Sequence, residues 1–236
     1  MKIAIIGYGK MGHMIEDVAR SRGHEIVARI DVGDAFDLKD ADVAIEFTTP
    51  ATAKDNILRA WAQGVPVVCG STGWKPEELK GEGLELKEVD SKKLIVESKT
   101  GKVMLVWSSN YSVGVNIFFE LNKFLAEQMT VQTQYMPSIK EIHHIHKLDK
   151  PSGTAKTLAE QIRETDLSRY RNIEDIEIES VREGEVPGTH EVTWDSEEDT
   201  IVITHIAKGR RGFALGAVLA AEKLALSPDD VILTTH

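Results

Sequence analysis

The chain has 236 residues, enough for one large domain or two modest ones, each with its own buried core. Apolar residues make up 42% and charged ones 28%, the balance of a soluble globular protein, and the formal net charge is −10. No long run of Lys or Arg offsets that charge, so composition argues against nucleic-acid binding but not against a local basic cleft for an anionic small molecule.

The opening segment Lys2-Ile3-Ala4-Ile5-Ile6 is a short, nearly continuous apolar run, as in a strand buried on both faces of a parallel sheet. It is too short, and too soon broken by glycines, for a signal peptide or membrane span. Glycines follow at Gly7, Gly9 and Gly12, then a helical stretch with Met11, Met14, Ile15 and Val18 at spacings of three and four. Gly23 ends that helix, and Glu25 to Ile30 is a second strand ending at Asp31. Strand, glycine turn, helix and strand in this order make a βαβ unit.

The first glycine permits the tight turn, the second lets the backbone approach a pyrophosphate, and the third lets helix and strand pack closely. Free N–H groups at the helix start receive the anion. Asp31 lies nineteen positions after Gly12, where an acid grips the ribose hydroxyls of a dinucleotide. It would repel a 2′-phosphate, and Val32 supplies no arginine to offset it; Lys10 or Arg29 would have to do so. NADH is therefore favoured, with NADPH the alternative.

Strands are expected at Ala41–Phe47, Val65–Cys69, Leu94–Val96 and Val103–Trp107, with a helix from Thr52 to Gln63. This alternation implies a Rossmann-type α/β domain built on a doubly wound parallel sheet. The lone Cys69 permits no intramolecular disulfide, which fits a reducing, cytoplasmic compartment, and is read as a small strand-end residue. Three polar loops follow predicted parallel strands: Phe47-Thr48-Thr49-Pro50, Gly70-Ser71-Thr72-Gly73 and Ser108-Ser109-Asn110-Tyr111. Ligands bind at such strand ends, so together these loops outline a nicotinamide pocket.

From Asn110 the pattern changes to a helix near Gly114–Gln128 and strand-like segments at Ser138–Ile145, Ile173–Arg182, Thr189–Trp194 and Thr200–Ala207. Turns at Gly184–Gly188 and Asp195–Asp199 suit hairpins. These segments predict a second, α+β domain with an open, mostly antiparallel sheet, giving residues 1–109 plus 210–236 as the dinucleotide-binding domain and 110–209 as the substrate-binding and oligomerisation domain. The last helix, Gly212–Leu226, is expected to return and cover the first domain.

Within Glu141-Ile142-His143-His144-Ile145-His146-Lys147, three imidazoles and a lysine fall in five residues, a concentration of groups able to move protons near neutral pH. His144 and His146 would share one side of an extended strand, but with no nearby Cys and no HExxH pattern no metal is expected. Pro151-Ser152-Gly153-Thr154 then opens a helix, a second anion site beside the histidines. In a straight strand His143 and Lys147 would stand ~13 Å apart, so a shared small substrate requires the chain to bend between them.

The run His143-His144-Ile145-His146-Lys147 followed by Pro151-Ser152-Gly153-Thr154-Ala155 closely resembles the signature of the 4-hydroxy-tetrahydrodipicolinate (dihydrodipicolinate) reductases of lysine and diaminopimelate biosynthesis. Lys10-Met11-Gly12, Phe47-Thr48, Gly70 to Gly73, Asn110 to Asn116 and Ala207 to Ala214 extend the resemblance over nearly the whole chain. It implies a catalytic pair, His143 and Lys147, with His144, Gly153 and Thr154 holding the carboxylates of a cyclic dicarboxylate substrate. The cofactor would lie against Gly7, Tyr8, Gly9, Lys10, Met11 and Gly12, Asp31, Gly70, Ser71 and Thr72, and Ser108, Ser109, Asn110 and Tyr111. Hydride from nicotinamide C4 would reduce the substrate with loss of its hydroxyl, in an enzyme assembled as a homotetramer through the second domain's sheet. The chain departs from the pattern in a short Asp31–Asp42 segment, in Asp31 where glutamate is common, and in Ile145 where arginine is common. The competing readings are another nicotinamide-dependent dehydrogenase on the same scaffold and a non-enzymatic dinucleotide sensor.

Overall fold

The computed structural model describes residues 1–79, 85–90, 93–98 and 101–226. In chain order the elements are β1 (Lys2–Ile6), α1 (Lys10–Ser21), β2 (Glu25–Ile30), β3 (Val43–Glu46), α2 (Pro50–Ala62), β4 (Val67–Cys69), β5 (Glu85–Asp90), β6 (Lys93–Ser98) and β7 (Gly101–Trp107). Then come α3 (Val113–Met129), β8 (Met136–His143), α4 (Gly153–Thr165), β9 (Glu177–Arg182), β10 (Thr189–Asp195), β11 (Thr200–Ile206) and α5 (Arg211–Leu226). They divide into two compact units, one comprising Met1–Val113 with α5 and the other Gly114–Arg210.

The first unit is a seven-stranded sheet of order β2-β1-β3-β4-β7-β6-β5. Its five strands from β2 to β7 run parallel. Their continuous apolar runs serve two faces. Ile3, Ile5, Val43, Ile45, Val68 and Val106 pack under α1 and α5, while Ala4, Ile6, Ala44, Val67 and Leu105 pack under α2 and Trp61. The last helix thus covers this unit's sheet, as its Ala- and Leu-rich sequence predicts.

β6 and β5 are antiparallel additions at the edge and depart from the all-parallel expectation. Only two residues separate β6 from β7, too few for the crossover that a parallel pair requires. The short Asp31–Asp42 connection carries no helix; fully buried Leu38 fills the face that one would cover.

The second unit is a four-stranded sheet, β11-β10-β8-β9, with α3 and α4 on one face. Asp195–Asp199 makes the expected hairpin between β10 and β11. Gly184–Gly188 does not, because β8 lies between β9 and β10 and pairs with both, parallel to β9 and antiparallel to β10. The strand expected from Ile173 begins only at Glu177, after a short 3₁₀ turn whose ends are capped by Asn172 and Asp175. Fully buried Asn122 of α3 donates to Leu158 O (3.1 Å) and Gln161 Oε1 (3.0 Å) of α4, tying the two helices together. Among the described residues, no helix is long and apolar enough to cross a membrane.

The closest backbone approach in the first unit is at Gly216 of α5, where a Cβ would lie 1.6 Å from Tyr111 O. Gly216→Ala must therefore push the helix off the sheet. We expect it to cost about 1–3 kcal/mol or more. The check is denaturant unfolding, with Gly212→Ala of the same helix, where a Cβ would meet only Ser112 Oγ at 3.8 Å, as the comparison.

Candidate functional site

In the first unit the predicted cofactor residues converge on the carboxyl edge of the sheet. Gly7 leaves β1 with φ +91°, and a Cβ there would lie 2.2 Å from Phe47 O. A Cβ on Gly12 would lie 2.3 Å from Gly7 O, and one on Gly70 would enter the Phe47 ring. Glycine is demanded at all three places by close packing, whereas Gly9 faces open space. Gly9 is the N-cap of α1, with no side-chain cap and no acidic residue in the first turn. That start, open above Gly9 and followed by Lys10, fits a pyrophosphate.

The neighbouring loops are stitched to one another. Thr48 N donates to Ser71 Oγ (2.8 Å) and Gly70 N to Glu46 O (2.9 Å). Fully buried Glu46 accepts from Thr48 and, at 3.0 Å, from the Cys69 thiol. Burial, then the Glu46 charge, push that thiol well above its ordinary range, so Cys69 is inert as a nucleophile. Tyr111 is buried, and its single O–H is shared between Cys69 O (2.9 Å) and Val106 O (2.8 Å), so its ring props these loops. Ser108 Oγ is likewise turned inward, bridging the N–H and carbonyl of Asn110. Asp31 ends β2 in an exposed position and accepts the Val32 N–H (2.9 Å).

In the second unit β8 presents Pro137, Ile139, Glu141 and His143 to the covered face. The strand stops at His143, two residues earlier than expected. His143 O accepts from Glu183 N (2.8 Å), and the chain turns at once, with Lys147 N donating to His144 O (3.1 Å). This is the bend that a shared substrate requires. It also overturns the shared strand face of His144 and His146, since neither lies in the strand. His146 turns out to an exposed contact with Glu185 (2.9 Å). His144 Nδ1 is buried with no hydrogen-bond partner among the described residues. Lys147 Nζ pairs with Asp149 Oδ1 at 2.8 Å.

Three groups missed in the sequence organise this corner. Glu141 is fully buried, and its carboxylate accepts the Ser152 N–H (3.1 Å to each oxygen) and Arg182 Nη2 (3.0 Å). His190 of β10 places Nε2 3.2 Å from His143 Nε2 and 3.2 Å from Ser152 Oγ. Ser152 Oγ in turn caps α4 by accepting the Ala155 N–H. A Cβ on Gly188 would lie 2.9 Å from His143 Cε1, so only glycine lets this loop close over the ring. At the start of α4, Gly153 meets open space and the first turn carries no acid. Of the N–H groups at this helix start, that of Ser152 is taken by Glu141 and that of Ala155 by Ser152 Oγ, while Gly153 faces open space.

Burial, together with the neighbouring His190, pushes the His143 imidazole down to about 4; Lys147 and Arg182 add to this and Glu141 opposes it. His143 is therefore neutral at pH 7. Burial alone would raise the Glu141 carboxyl, but donors from His190, Ser152 and Arg182 outweigh it and hold it well below the usual range. One ligand atom from each of Glu141, His143 and His190 lies within 4.8 Å of the others, close enough to span a metal ion. The Glu141 oxygens are already taken by Arg182 and Ser152, which makes the trio a hydrogen-bonded support for His143.

Residues 1–111 match the family model for the N-terminus of dihydrodipicolinate reductase, and residues 114–235 match that for its C-terminus. The chain is 45% identical to the 4-hydroxy-tetrahydrodipicolinate reductase of Christiangramia forsetii, over 95% of this chain and 92% of that protein. It is 34% identical to the enzyme of the same name from Archaeoglobus fulgidus, over 95% and 94%. In fold it is similar to a dipicolinate-bound dihydrodipicolinate reductase from Paenisporosarcina sp. TG-14, with a TM-score of 0.71 at 20% identity over 95% of this chain and 94% of that one. The chain belongs to the dihydrodipicolinate reductase family, nicotinamide-dependent oxidoreductases that reduce 4-hydroxy-tetrahydrodipicolinate in lysine and diaminopimelate biosynthesis.

Proposed function

We propose that His143 and Lys147 carry the chemistry of this reduction, that His144, Gly153 and Thr154 hold the substrate carboxylates, and that the glycine loop and its neighbours bind NADH in preference to NADPH. The observation that carries the first part is the support of His143 by Glu141 and His190 on one side and by Gly188 across the ring, at the point where the chain bends to bring Lys147 round. On this reading the 1–109 plus 210–236 segment is the dinucleotide domain and 110–209 the substrate domain.

Bound nicotinamide supplies the hydride. The protein's part is to hold the ring dicarboxylate and to answer the electron density that hydride delivery leaves on it. Lys147 Nζ is the proton donor, held by Asp149. Neutral His143 orients the substrate by hydrogen bonding, its ring fixed by His190 and Gly188. At the start of α4 the Gly153 and Thr154 N–H groups receive a substrate carboxylate, the Ser152 N–H being already held by Glu141.

We further propose a cytoplasmic homotetramer assembled through the second unit's sheet. The exposed Ile201, Val202 and Ile206 on edge strand β11 support it, because a solvent-facing apolar edge strand is a pairing surface. Sedimentation should give a mass four times that of the chain, and a monomer would overturn this part.

His143→Gln and Lys147→Ala should each lower kcat by about 10²–10⁴. NADH affinity, read by fluorescence titration, should stay within about twofold, being set elsewhere. The assay is loss of NADH absorbance on adding freshly generated 4-hydroxy-tetrahydrodipicolinate. Unchanged turnover in both variants would remove these roles, and tight NADH binding with no turnover in the parent protein would instead favour the sensor reading.

Acid should weaken the fold in two steps. His143 takes up a proton near 6.5 when unfolded but near 4 when folded, so stability is full above about 6.5 and falls as pH drops toward 4. The lowered Glu141 carboxyl adds a second loss beginning near its ordinary range and extending below it. Between pH 7 and 4.5 we expect a loss of roughly 2 kcal/mol attributable to His143. In His143→Gln the first step should shrink, the lowered His205 keeping its own share, and the second should remain, as measured by denaturant unfolding at several pH values.

A further inference from the structure

Arg29 stands on β2, two residues before Asp31, at the same end of the sheet as the glycine loop. In sequence it is one of two cations placed to meet a 2′-phosphate, Lys10 being the other. The structure gives its guanidinium another occupation. Arg29 Nε donates to Glu16 Oε2 at 2.7 Å, its Nη2 donates to Glu16 Oε1, and Nε also lies 3.3 Å from Tyr8 Oη. Arg29 Cζ sits 5.6 Å from the centre of the Tyr8 ring, which belongs to the glycine loop itself.

Glu16 is the hub of this arrangement. It lies on α1 with its side chain 11% exposed, and it also accepts from the Tyr8 hydroxyl and from Arg20 Nε (2.7 Å). Four donors on one carboxylate hold Glu16 far below the usual carboxyl range, Arg29 first among them, and raise Arg29 in return. The pair is charged at neutral pH.

We propose that Glu16 is a specificity-determining residue: it holds the Nε–Nη2 edge of Arg29 on α1 and offsets its charge beside Asp31, which weakens Arg29 as a receiver of a 2′-phosphate. Phosphate recognition by arginine combines its charge with parallel N–H groups, and here the charge and one such edge are spent on a carboxylate. The charge that Arg29 would contribute is cancelled at the same point. What an incoming 2′-substituent meets is Asp31, with the second acid Asp34 accepting the Asp31 N–H at 2.8 Å. A ribose hydroxyl suits that environment and a phosphate does not. Selectivity for NADH would thus come from an arginine that is present but held, not from the lack of one. The inference rests on the proposed placement of the adenosine ribose at Asp31.

The test is the ratio of kcat/KM for NADPH to that for NADH, with 2′,5′-ADP as a competitive probe of the 2′-phosphate alone. Glu16→Gln should raise the ratio about tenfold or more, the worth of a charge-assisted hydrogen bond to a phosphate, and should tighten 2′,5′-ADP. Arg29→Met should leave the ratio within about twofold of the parent, and the double variant should return to the parent value. If Glu16→Gln does not fold, Glu16→Met fills the same space without the charge and takes its place. A folded Glu16 variant with an unchanged ratio overturns the lock, as does a selective loss of NADPH use in Arg29→Met. Asp31→Asn separates the two levels of the argument. If it weakens NADH while the Glu16 variants leave the ratio unchanged, only the lock fails; if it alters neither cofactor's affinity, the ribose placement fails and the lock with it.

Discussion

A carboxylate sealed from water must be matched by donors, and the catalytic half of this protein is arranged around one such group. Glu141 has no exposure, and the groups that satisfy it come from three separate stretches of chain: the Ser152 N–H at the start of α4, Arg182 at the end of β9, and His190 on β10 at 3.7 Å. Removing any one leaves charge buried without its full complement, which costs far more than the net worth of the interaction. The His143 ring, the open start of α4 and the turn to Lys147 all take their positions from that requirement.

The same device recurs in the first unit. Glu46, fully buried at the end of β3, draws Thr48 and Cys69 together and so joins two of the loops at the carboxyl edge of the sheet. Glu16 draws Arg29, Arg20 and Tyr8 onto α1. None of the three carboxylates is proposed to touch a reacting atom, yet each fixes where the groups around it stand. Buried charge here serves placement rather than stability, since replacing a buried ion pair by apolar residues is often neutral for the fold.

Much of this was legible in the residues. The apolar runs of β1 and β3, the glycines between strand and helix, and the His-Lys cluster ahead of a capped helix each follow from local physics, and the family resemblance added roles to them. What escaped was non-local. Nothing around Gly184–Gly188 reveals that β8 will lie between the flanking strands, so a hairpin was the natural expectation. The end of β8 at His143 is set by its pairing with Glu183 and not by its own sequence. His190 did leave a trace: it shares the inward alternation of Val192 and Trp194 on β10, an imidazole where an apolar residue is expected. Glu141 leaves the same trace on β8. A polar residue at an inward position of an otherwise apolar strand is the signal that finds such groups, even when their partners lie forty residues away.

One topological feature bears on how the protein is made. The second unit is a continuous stretch of chain, whereas the first is begun at Met1 and completed only by α5. Val218, Ala221 and Leu224 share with α1 the cover of one face of the first sheet, and they leave the ribosome about a hundred residues after that sheet does. At ordinary translation rates the interval is roughly 5 to 20 seconds. During it the segment Gly114–Arg210 emerges whole, while the older, N-terminal half waits with the face around Ile3, Ile5 and Ile45 covered by α1 but not yet by α5. The half of the enzyme synthesised first is thus the half that is completed last.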